Sequence, residues 1–257
     1  MRPILTVAFV ISTCNGFCQQ VTTSVKEWKS YPVPANKDTL SNYILQHDTD
    51  WTVVSVDNTI AAVNTRVKPA ESLPFKIMAS KKEQYKFSQE YTVIKVDDGY
   101  LIGFRRGEWG GNLYWFSNDG GNRYEISTDQ VNQFIKQDNK IYAIEGLSHL
   151  GISAGRMISI NKDNGKWKVK EFLKFDAEPE AIDIDSKKDF IIVTAKGLYS
   201  ATVTAAIHPV VADAFWHRYL YPTSLIVQND IVYIGMRKGI FKYDLKTKKQ
   251  EWLMPGH

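Results

Sequence analysis

The chain has 257 residues, is 44% hydrophobic and 23% charged, and carries a formal net charge of +4, an ordinary balance with length enough for a sizeable core. So small an excess of base, with no polybasic cluster interleaved with aromatics, leaves no nucleic-acid footprint. No apolar run beyond residue 20 approaches the roughly 18 residues a membrane-crossing helix needs, so no transmembrane span is expected once the N-terminus is removed.

That N-terminus reads as a secretory signal peptide over residues 1–18. Arg2 supplies the positive start, residues 3–11 (PILTVAFVI) the apolar core, and small or polar residues follow. Cleavage after Cys18 leaves Gln19 first, and cleavage after Gly16 is the alternative. Cys14 and Cys18 are the only cysteines, so no disulfide framework holds the folded part. Thr13 before Cys14 departs from a lipobox, and the residues before Cys18 depart further. Export to the periplasm or beyond is therefore expected rather than lipid anchoring through either cysteine.

Residues 19–50 read as a lead-in, with a strand over 25–33 ended by Pro32 and Pro34 and a short helix over 38–45 with Asp38 as N-cap. A repeat begins at Trp51. Residues 51–56 (WTVVSV), a turn at Asp57-Asn58 and residues 59–63 form two strands. The same order returns at 92–104 around Asp97-Asp98-Gly99, at 131–144 around Gln137-Asp138-Asn139, at 181–194 around 185–188, and at 225–235 around Gln228-Asn229-Asp230. The spacing of roughly 40 residues is the length of a four-stranded blade. Outer hairpins follow at 112–127 and 156–172, more weakly at 197–211, and most weakly at 73–80 with 84–87. The last unit is the clearest: 224–227, 231–235, 239–244 and 250–253 are four short strands rich in β-branched and aromatic residues. The reading is all-β: a β-propeller of five four-stranded blades over 51–257, becoming six-bladed if 25–47 adds strands.

From 51 to 252 the pattern resembles the loosely repeated propellers of secreted bacterial proteins, the quinoprotein-like and sensor-type propellers. The resemblance lies in pattern, since neither a recurring Trp-Asp dipeptide nor a repeated Trp/Gly motif is present. Such folds host binding, scaffolding and catalysis alike.

If the aligned strands are the inner two of each blade, the loops after the second all open on one end. Those loops bring Arg66, then Arg105 and Arg106 with Glu108 and Trp109, then Glu145 and His149, then Lys196, then Arg237 and Lys238. The connections between blades add Glu178, Glu180 and His217 to the same end. A mouth lined with guanidinium and ammonium groups suits a carboxylate, a phosphate or an acidic protein face. The glycine-rich loop at 105–112, with Trp109, has the composition of a loop that meets a partner or a sugar face. Turn aspartates such as Asp57, Asp138 and Asp230 fall at the other end, bending the chain.

Two classes of function follow. The first is an exported, non-catalytic propeller with no cofactor that binds a protein partner or anionic small molecule at a basic loop face, as a sensor, scaffold or immunity-type inhibitor. The second is a hydrolase or lyase working at the channel mouth through Glu145, His149, Glu180 and His217, with or without a divalent cation. No HxH, HExxH, nucleophile elbow or phosphate loop supports a particular chemistry, and no resident metal is expected.

Overall fold

Short turns with left-handed residues set the architecture. Asp57 and Asn58 take φ of 47° and 58°, Asn229 and Asp230 take 53° and 62°, and Asn164-Gly165 take 50° and 75°. Asn, Asp and Gly tolerate these angles, which let two-residue turns join antiparallel strands without disturbing their twist. A computed structural model describes residues 22–34, 49–65, 72–149, 152–217 and 219–256. The signal peptide with Cys14 and Cys18, the helix expected at 38–45, and Arg66 all lie outside those residues.

Among the described residues five antiparallel sheets are formed. From the lead-in come β1 (Thr22–Ser24) and β2 (Lys29–Tyr31), joined by a 3-10 turn at Val25–Glu27. The first blade holds β3 (Trp51–Val56) and β4 (Thr59–Asn64). The second holds β5 (Tyr91–Val96), β6 (Gly99–Arg105), β7 (Gly111–Ser117) and β8 (Arg123–Ser127). The third holds β9 (Val131–Gln137), β10 (Lys140–His149), β11 (Ile152–Asp163) and β12 (Lys166–Phe175). The fourth holds β13 (Pro179–Ile184), β14 (Phe190–Thr194), β15 (Leu198–Ala201) and β16 (Ile207–Val211). The fifth holds β17 (Ser224–Gln228), β18 (Ile231–Met236), β19 (Gly239–Asp244) and β20 (Gln250–Met254). The first strand of each blade is innermost, and β5 packs on β9, β9 on β13, β13 on β17, and β17 on β3. This is the five-bladed propeller arrangement expected from the repeat.

Three expectations are corrected. The lead-in makes no sixth sheet among the described residues, and 25–33 is not one strand. Instead β1 adds to β4 in the first blade and β2 to β20 in the fifth, so the lead-in stitches the last blade to the first. Residues 73–87 form no hairpin. They lie across the second blade as irregular chain and turn, with Leu73, Phe75, Ile77 and Phe87 covering Tyr100, Phe104, Tyr114 and Phe116. Arg123 pins them by two bonds to Glu83, at 3.0 and 2.6 Å, and holds that carboxyl down at about pH 2. Apolar residues here serve as a lid for one sheet face, which their alternation alone does not distinguish from pairing. Finally, the segment 145–156, read as a loop, continues the ladder of β10 and β11 as far as His149 opposite Ile152.

The remaining core lies between blades. Leu101, Leu113, Val131, Phe134 and Ile158 fill the space between the second and third, and Tyr142, Met157, Ile182 and Phe190 that between the third and fourth. Between the fourth and fifth, Trp216 from the connecting turn is fully buried with Phe241 and Trp252, its indole N–H satisfied by the Thr194 carbonyl at 3.1 Å. Trp28 and Trp51 meet edge-to-face at 4.8 Å where the lead-in joins the first and fifth blades. Replacing Trp28 by Ala is expected to cost about 3 kcal/mol, since it removes a buried aromatic and leaves a cavity. The shift in urea midpoint measures it, and an unchanged midpoint would show that the stitch carries no stability.

Candidate functional site

The second-to-third-strand loops and the blade connections share one end of the molecule, as the alternating strand directions require. Arg105, at the end of β6, reaches Glu178 at 3.4 Å and Glu90 at 3.7 Å. Asn132 on β9 donates to the same Glu178 oxygen at 3.0 Å and to the Pro179 carbonyl at 2.7 Å. Three blades therefore meet on one buried carboxylate. Arg106 points back into its own blade, donating to the Tyr85 carbonyl at 2.9 Å and to Asn112 at 3.1 Å. Lys196 donates to the Asp176 carbonyl and carboxylate at 2.8 and 3.2 Å. Arg237 lies 3.3 Å from Asp50 and over the Tyr221 ring at 4.8 Å. Lys238 is buried, its backbone N–H on the Thr49 carbonyl. Arg105, Arg106, Lys196 and Arg237 are thus each engaged inside the protein, and they do not converge on one shared open pocket.

Residues 107–109 form a 3-10 turn that displays Trp109, 74% exposed. Beside it Glu108 meets His149 at 2.9 Å, tying this turn to the tip of the β10–β11 hairpin. Glu145, further down β10, lies in an open cleft of about 550 Å³ on the third blade, bordered by Gly110 of the second. Glu180 is the second residue of β13, and His217 belongs to the turn before the fifth blade; both are half-buried and engaged in contacts. No group of three or more His, Cys, Asp or Glu is placed to hold a metal among the described residues.

Arg156 organises that cleft. Directly opposite Glu145 across β10 and β11, it donates to Glu145 at 2.7 Å, to Asp129 at 2.5 Å and to Glu171 at 3.5 Å. Asp129, buried in the connection between blades, also accepts from Ser127 at 2.6 Å. Burial first, and the neighbouring Asp129 second, push the Glu145 carboxyl above its usual range against the pull of Arg156. Asp129, Arg156 and Glu171 were not singled out from sequence. An opposite-charge cross-strand pair would have pointed to Glu145 with Arg156, but only with the hairpin register known.

No protein-family model matches the sequence, and no curated protein matches it. Two solved structures, extracellular domains assigned to a hybrid two-component system and to a one-component system of B. thetaiotaomicron, are similar at 14% identity and a TM-score of 0.42. They cover 62% and 58% of this chain, which spans only 22% and 21% of theirs. Likeness of that order speaks to neither ligand nor activity.

Removing Arg156 strands the two less exposed of its three carboxylate partners, Asp129 and Glu145, so Arg156→Ala is expected to cost about 2–3 kcal/mol at pH 7. The sign with pH follows from Glu145. A carboxyl whose folded pKa is raised costs stability above that pKa and nothing below its unfolded value. The penalty of Arg156→Ala should therefore shrink as the pH falls from 7 towards 4.5. Urea titrations at both pH values check this, and a penalty independent of pH would contradict it.

Proposed function

We propose that the chain is an exported, non-catalytic propeller that binds a partner or ligand through the loop face carrying Trp109 and the adjoining cleft. The observation that carries this reading is the contrast on that face. Its charged groups are consumed in internal pairs that fix geometry, while a large aromatic stands in water beside a concave, polar surface. An exposed aromatic near an open, polar concavity suits recognition of a partner, and the N-terminal segment of Arg2 and residues 3–11 supports export.

A protein face fits better than a free anion. An anionic ligand would have to displace Glu178, Asp176 or Asp50 from cations already paired, and would gain only the difference. A second reading, hydrolysis, is favoured by one feature. Glu145 has its pKa raised by burial inside a cleft, as a general acid would. It calls for a second group across the cleft, and His149, Glu180 and His217, the candidates from sequence, do not line it.

Photo-crosslinking in cells tests the first reading. A benzophenone side chain placed at Trp109 is expected to give a specific adduct, whereas the same group at Asp138, in a turn at the other end, should not. Equal labelling at both positions, or none at 109, would contradict it.

A further inference from the structure

Of the six large apolar side chains that the described residues expose, the three most exposed fall along one strip. Met78, Tyr85 and Trp109 are 77%, 75% and 74% exposed, against 49% or less for the other three. Met78 and Tyr85 belong to the segment 73–87 that covers the second blade, on the face turned away from the third. The segment runs from one end of that blade to the other. Phe75 lies against Gly120 in the turn between β7 and β8, where an added Cβ would come within 2.4 Å of its ring. At the loop face the Tyr85 carbonyl accepts from Arg106 at 2.9 Å. The Trp109 N–H donates to the Arg106 carbonyl at 3.2 Å, so one arginine joins the end of the strip to the exposed tryptophan.

Local geometry decides which side chains the strip turns outwards. Glu83 and Gln84 donate their N–H groups to the Ser80 carbonyl at 2.9 and 3.0 Å, and Lys86 donates to that of Glu83 at 2.7 Å. Residues 80–86 thus wind as in a helix, where positions three and four apart share a side. Glu83, Lys86 and Phe87 take the inward side, on Arg123, Glu125 and Phe104 in turn. Lys81, Lys82 and Tyr85 therefore share the outward side, and all three are exposed. Just before them burial alternates, with Phe75 and Ile77 turned in and Lys76 and Met78 in water. Lys76, Lys81 and Lys82 pair with no carboxylate among the described residues. The acids beside them, Glu83 and Glu125, are held by Arg123 and Lys86. The outward side is cationic and apolar at once.

That combination selects a partner. Exposed apolar side chains among unpaired ammonium groups are matched by carboxylates set beside apolar residues, and such complementarity steers encounter and fixes register. An anionic bilayer would supply the charge, but it would also meet Glu108 and Glu90, whose side chains are 47% and 73% exposed. A protein can set its own cation against each. We propose that the strip of Lys76, Met78, Lys81, Lys82, Tyr85 and Trp109 docks an acidic protein segment, its carboxylates on the lysines and its apolar side chains on the aromatics. The proposal rests on the binding-face reading and gives the partner a chemical class.

A benzophenone side chain at position 85, in cells, should capture the same protein as one at position 109. Mass spectrometry of both adducts should place the crosslink in a segment with an excess of Asp and Glu. Lys81→Glu combined with Lys82→Glu should reduce both adducts at least about tenfold, by setting like charges against the partner. Lys136→Glu combined with Lys140→Glu makes the same charge change on exposed residues at the other end and should leave both adducts intact. The urea midpoint of each double variant should match that of the unaltered protein, since all four lysines are exposed. Adducts on phospholipid rather than protein would overturn the proposal, as would a captured segment without acidic excess. So would adducts that survive the reversal at 81 and 82, or that both reversals weaken alike. An adduct at 109 with none at 85 would leave the binding-face reading standing and remove only the strip. Loss of both would remove both.

Discussion

Every blade of this molecule has an innermost strand whose outer neighbour is bonded and whose inner edge is not. The N–H and C=O groups on that edge have no strand partner, and buried backbone left unpaired is costly. The protein answers with side chains. Gln133 on β9 gives its amide nitrogen to the Ile182 carbonyl at 2.8 Å and takes the Ile182 N–H at 3.3 Å. Asp183 on β13 accepts the Val227 N–H at 2.8 Å, and Ser224 on β17 accepts that of Val53 at 2.8 Å. The inner strands β9, β13 and β17 thus each bind the backbone of the next. Close approach is part of the same device: a Cβ on Gly103 would sit 2.6 Å from that of Val131, and one on Gly235 would sit 2.5 Å from Ser224 Oγ.

The position of the loop face follows from this stitching. With the blade spacing fixed by side chain to backbone bonds, Arg105 of the second blade and Asn132 of the third both reach Glu178 at the start of the fourth. The cleft at Arg156 likewise depends on Asp129, which belongs to the connection, meeting Glu145 on the hairpin. Local electrostatics then divide the labour. Paired charges hold the walls, and one large aromatic, Trp109, is left exposed on the same face.

Much of the fold was legible because its signals are local. Asp57-Asn58 and Asn229-Asp230 announce their turns through the angles they tolerate, and the strands on either side alternate or run apolar. What was not legible depends on distant partners. Residues 73–87 carry the aromatics of a strand but cover a sheet face, and nothing in their own spacing says so. Thr22–Ser24 pair with Ala61–Val63 across a separation that no pattern encodes. At the site, the sequence brought basic residues and Glu178 to one end, yet not that Glu178, Asp50 and Asp176 would pair with those cations.

Hydrogen exchange at single-residue resolution tests the central claim most directly. The backbone N–H groups of Ile182, Val227 and Val53 face side chains of the neighbouring blade, so the account predicts that they exchange slowly, with protection comparable to amides inside the sheets. Replacing Ser224 by Ala should selectively speed exchange at Val53. Rapid exchange at all three amides in the unaltered protein would mean that the blades are not joined in this way, and the shared loop face would lose its basis.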